Sequence, residues 1–233
     1  MSAGSPVVTP DARREAAEVS SEPVKPVLRG VIHQVAFFVS LASGLALILV
    51  APTTGSALVM AVYAVSISSL FGTSTLFHRR TWGPVGRRRM RRADHSAIFL
   101  AIAGTYTAVA GIALDGWART TLLAIVWAGA LVGIAIRQLW LDAPKWVITI
   151  PYVTVGWAAL VVLPQLERAL GPAGFTLLLL GGLAYSAGAV VYAAKRPNPV
   201  PGVFGYHEVF HACTVVGAVL HYVAIAFFVL PLA

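Results

Sequence analysis

The stretch "GYHEVFHACT", residues 205–214, sets His207 and His211 four positions apart with Glu208 directly after the first. On a helix such a pair shares one face, where two neutral imidazole nitrogens can grip one metal ion. Ser74 and His78 repeat the same spacing in "STLFH", and Asp94 precedes His95 in "RRADHS". His207, His211 and His78 make a three-nitrogen set that leaves a fourth position open, the pattern of catalytic rather than structural zinc. Asp94 is then the natural acidic partner, anchoring a water at the site or taking its proton.

Two rival readings use the same histidines. H-E-x-x-H is the signature of a zinc metalloprotease whose glutamate is the general base. An intramembrane protease of that kind adds an aspartate ligand from a later helix, often in an L-D-G context. "LDG" does occur at Leu114–Gly116, but it precedes the histidines. It also falls at the far end of its helix, about 30 Å from them at 1.5 Å per residue. Position 217, where the extended signature needs a third histidine, is Gly217. Glu208 then reads as an acidic residue favoured by the helix N-terminal dipole. Haem held between facing helices needs histidines at matched depth. His221, ten residues past His211 and so about 15 Å further along the axis, has no partner at its own depth, although it could line a cavity above a metal.

The elements that must carry these residues are membrane helices. Of the 233 residues 58% are hydrophobic and only 11% charged, and the mean hydropathy is +0.80. A hydrocarbon layer about 30 Å thick takes about 20 apolar residues in a helix, and seven such runs are present. They lie near residues 31–51, 56–78, 94–114, 120–140, 145–163, 173–194 and 207–230. Turn and interface residues separate them, among them "PTTG", "RRTWGPVGRRRMRRA" and "PQLERALGP". The predicted class is all-α, a polytopic bundle of seven transmembrane helices over residues 31–233. Residues 1–30, rich in Pro, Ser and Glu, lack the apolar core of a signal peptide and read as a disordered cytosolic tail.

Orientation follows from the Lys and Arg count on alternate sides. The tail, the second break, the fourth break with Arg137 included, and the sixth break hold fifteen, against two, Arg119 and Arg168, on the other side. The N-terminus is therefore expected in the cytosol and the C-terminus outside, in the cell membrane. Arginines in short segments between apolar runs mark topology and anionic lipid headgroups rather than nucleic acid. The single cysteine, Cys213, excludes an internal disulfide.

With the topology set, His33, His78, His95, His207 and His211 fall in the cytosolic leaflet although they come from four helices, and Asp94 joins them. Ionisable residues at such depths are costly and usually functional or paired. His95 points about 100° away from Asp94 on the helix and is expected to bond a neighbouring backbone group or face the headgroups.

Three segments, "SSLFGTSTLFHRR", "RRADHSAIFLAIAGTYT" and "PGVFGYHEVFH", together resemble the hemolysin III family. That family is the bacterial branch of the progestin and adipoQ receptor group, whose wider superfamily includes the alkaline ceramidases. The resemblance covers essentially the whole chain after the tail. It implies a seven-helix bundle with a cytosolic N-terminus and a zinc ion near the cytosolic face. His78, His207 and His211 map to the family's ligands, Asp94 to its third-helix aspartate acting through water, and Ser74 to the motif serine. The first helix departs: "RGVIHQVAFF" keeps His33 without the Glu and Asn that members often carry before it.

The leading expectation is a zinc-dependent hydrolase of lipid amides or esters, with Asp94 as base or water anchor and Ser74 supporting the site. Membrane lipids are the expected partners, and no nucleic acid. The alternatives are a non-enzymatic sensor or regulator of membrane state braced by structural zinc, and the cytolytic role in the family name, which a pore would advertise with a polar stripe along several spans.

Overall fold

The computed structural model describes residues 26–140, 143 and 145–233. Most of the expected tail, residues 1–25, lies outside the described residues. Helices account for nearly everything else: α1 (Val31–Val50), α2 (Thr54–Arg79), α3 (Pro84–Ala113), α4 (Gly116–Leu139), α5 (Lys145–Gly156), α6 (Leu163–Ala194) and α7 (Tyr206–Ala224). A 3₁₀ stretch, Ala158–Val162, links α5 to α6, and α7 runs on through a π segment, Ile225–Val229. Among the described residues, six stretches are long and apolar enough to cross a membrane, and one of these, Ile150–Ala194, is 45 residues long.

Local chemistry explains the ends. Thr53 and Ser56 form a reciprocal capping box at the start of α2, each hydroxyl accepting from the other's backbone N–H at 3.1 Å. α3 begins ten residues earlier than the hydropathy predicts, at Pro84 instead of Asp94. The run "GRRRMRRA" reads as a break by charge, yet arginine is a good helix former and a proline in the first turn has its φ already set. Asp94 thus sits mid-helix. "PQLERALGP" is also helical up to a single break at Gly171 (φ 64°, ψ 175°).

Many of the large apolar side chains, Phe38, Leu49, Val190 and Phe227 among them, point outward to where acyl chains would lie, while small residues let the helices approach inside. At Gly104 of α3 an added Cβ would fall 1.8 Å from the Ser66 hydroxyl of α2. Polar side chains tie helix to helix: Ser40 meets Ser68 at 3.0 Å, and the Trp127 indole donates to Thr107 at 3.1 Å. Tyr106 of α3 serves the break after α5, donating to the Gly156 carbonyl at 2.6 Å and accepting from Ala159 N–H at 3.0 Å. That satisfies backbone groups which the bilayer could not.

The segment before α1 lies across the loop before α7, with Val27 N–H donating to Gly202 O at 3.1 Å and Leu28 N–H to Val203 O at 3.3 Å. Gly30, which caps α1, has φ +80°, and a Cβ there would come within 2.7 Å of the His78 Cβ. A left-handed turn and a close approach therefore both require glycine at this position.

Candidate metal centre

α2 presents Ser74 and His78 on one face, α7 presents His207 and His211, and the bundle turns the two faces toward each other. The ligand nitrogens of His78, His207 and His211 all lie within 4.8 Å of one another. His207 Nε2 and His78 Nε2 are 3.3 Å apart. Two nitrogens on a tetrahedral zinc with bonds of about 2.05 Å stand about 3.3 Å apart, so this one edge has the length that a metal site needs, with all the ligand nitrogens within 4.8 Å of one another. The donor set fits too, since three neutral imidazoles suit zinc and its neighbours in the first transition row. His78 and His211 are buried and His207 is half-buried.

Asp94 stands beside this group, not within it. Its carboxyl faces the Ser74 hydroxyl and lies within electrostatic reach of Arg137. It lines the same cavity as the three histidines. His95 bonds a neighbouring backbone group, as expected: its Nδ1 donates to the Arg91 carbonyl at 2.6 Å and stands 4.0 Å from Asp94. It lines the same cavity, yet is not one of the three mutually close histidines. Glu208 is fully buried and both its oxygens are engaged. One takes Arg29 Nε and the other accepts from Gly205 N–H at 2.8 Å, capping α7. A carboxylate committed in this way is a helix cap, not the base of a protease. Asp115 sits past the far end of α3 and pairs with Arg119.

A cavity of about 1050 Å³ opens from the histidines into the bundle, at the upper end of the usual range for ligand sites. Ile102, Trp157, Phe175 and Leu178 give it apolar walls. His221 lines its deep part, donating from Nε2 to Leu178 O at 3.1 Å, and is not one of the three mutually close histidines.

Two residues at the site go beyond the sequence reading. Arg137, counted there as a topology charge, is 1% exposed and forms part of the cavity wall beside Asp94, His95 and Tyr152. The signal was present: Leu122, Val126, Ala130, Gly133 and Arg137 form one buried stripe at helical spacing. His33, given no role from sequence, is 2% exposed and stacks on His211 with ring centroids 3.8 Å apart. It too opens a buried stripe, followed by Ala36, Ser40 and Gly44.

Fold and site together define a multi-pass membrane protein with a histidine cluster at one end of an apolar cavity. Residues 22–222 match the family described as Haemolysin-III related. Hemolysin-3 of Bacillus cereus is 33% identical over 210 residues, covering 89% of this chain and 93% of the relative. The Hemolysin-3 homolog of Bacillus subtilis (strain 168) is 31% identical over 205 residues, 87% and 93% of the two chains. Over a shorter stretch of 49 residues, 19% of this chain and 21% of the relative, the heptahelical transmembrane protein ADIPOR2 of Oryza sativa subsp. japonica is 49% identical. The chain belongs to the haemolysin-III-related family.

Proposed function

We propose that this protein is a zinc-dependent hydrolase of membrane lipids, acting on an amide or ester carbonyl. The observation that carries this reading is the meeting of three imidazoles, with a 3.3 Å edge, beside a carboxyl group at the end of an apolar cavity. Zinc, when bound, supplies a Lewis acid for a carbonyl and lowers the pKa of water. Asp94 orients the attacking water and takes its proton, and Ser74 holds the Asp94 carboxyl in place. The apolar walls hold an acyl chain with its carbonyl at the histidines. The test is fatty-acid release from ceramide and from phospholipids by the purified protein, beside Asp94→Ala and with bound zinc measured on both. Zinc without release from any lipid would remove the enzymatic part.

Seven crossings, with the N-terminus in the cytosol, belong to the same reading. A helical stretch of 45 residues would be about 68 Å long at 1.5 Å per residue, more than twice the hydrocarbon thickness, and Gly171 breaks it. The heptahelical name of the rice relative agrees with that count.

One observation favours a second, non-enzymatic reading. His78 and His207 are 129 positions apart in the chain, so an ion between them would fasten the first part of the bundle to the last and serve as a structural brace in a sensor of membrane state. Turnover of any lipid separates the two.

A further inference from the structure

The geometry points to His33 as a positioning residue that fixes the His211 ring for metal binding and couples it to Ser74. This rests on the zinc reading above. His33 is not one of the mutually close nitrogens, yet its ring lies almost flat on that of His211, with an interplanar angle of 13°. Rotating His211 about its Cβ–Cγ bond would drive the ring edge into the face of His33, so the stack holds the ring in one plane.

His33 is itself held from two sides. Its Nδ1 shares a 2.8 Å hydrogen bond with the Ser74 hydroxyl, and the edge of Phe71 packs against it with a centroid distance of 5.1 Å. Ser74 in turn faces Asp94. One imidazole from α1 thus links a candidate ligand of α7 to the serine and the carboxyl group that flank the site. Groups that orient a metal ligand from outside commonly contribute tenfold to a hundredfold in metal affinity.

Two variants separate the two contacts. His33→Phe keeps a flat ring on His211 and loses the bond to Ser74, whereas His33→Asn keeps a polar group near the Nδ1 position and loses the stack. The probe is Co²⁺ alone, titrated into metal-free full-length protein in detergent and followed by visible absorption, with melting of the metal-free forms measured alongside. Each variant should bind Co²⁺ roughly tenfold more weakly and His33→Ala up to about a hundredfold. The Asn and Ala variants should also show shifted ligand-field bands, while the metal-free Phe variant melts as the wild type does. Wild-type affinity and spectrum in both the Phe and Asn variants would overturn the assignment. A wild-type protein that takes up no Co²⁺ would instead overturn the metal reading on which it depends.

Discussion

Arg29, on the short segment ahead of α1, closes an ion pair onto Glu208, the residue that follows His207 on α7. The Glu208 side chain is wholly buried while that of Arg29 keeps 20% exposure. The first described residues of the chain are thereby fastened beside the histidine cluster. Removing one partner of a buried pair strands the other, at a cost of about 3–5 kcal/mol. Glu208→Ala also strips the cap from Gly205 N–H, so it should lower the melting temperature in detergent more than Arg29→Ala does. The double variant should lose less than the sum of the two, and full additivity would show that the pair is not coupled.

Metal removal should have a comparable effect. A ligand at a thousand times its Kd stabilises a fold by about 4 kcal/mol. Chelation should therefore lower the wild-type melting temperature by several degrees and leave His211→Ala unchanged, with elemental analysis showing zinc in the former and little in the latter. An equal response of both proteins to chelator would argue against His211 as a ligand.

Asp94 stands outside the ligand group, so Asp94→Asn should retain zinc while losing lipid hydrolysis by roughly 10²–10⁴-fold, the usual contribution of a positioned acid or base. Loss of zinc in this variant would instead make Asp94 a direct ligand.

The tight approach of α2 and α3 can be read through Gly104. An alanine there would meet the Ser66 hydroxyl at 1.8 Å, and overpacking of this kind costs about 1–3 kcal/mol. Adding Ser66→Ala removes the nearest atom but leaves the Ser66 Cβ at 2.7 Å, so thermal melts should show partial recovery only. Complete recovery would mean that the backbones can separate freely.

Which histidines could meet was legible because i, i+4 spacing survives any rotation of a helix about its axis: His207 stays on one face with His211, and Ser74 with His78. The stack of His33 on His211 was not legible, because it depends on how α1 is rotated against α7, which hydropathy leaves undetermined. Arg137 was misread because its charge outweighed its place on a buried stripe. α3 proved longer than expected because hydropathy detects the hydrocarbon layer rather than the helix, and an arginine-rich turn can be fully helical outside that layer. A break was expected within "PQLERALGP", and Gly171 supplies it; that the rest of the segment is helical was hidden, although Gln165, Leu166 and Glu167 are good helix formers.

Gly30 contributes no donor, charge or apolar surface, yet the position of His78 depends on it. Any larger residue would have to displace the carbon from which that imidazole hangs, 2.7 Å from where its own Cβ would stand. The perimeter of the site therefore extends past the start of α1 to a residue whose role is to leave space empty, and a single methyl group there would be felt at the proposed ion before it was felt in the bundle.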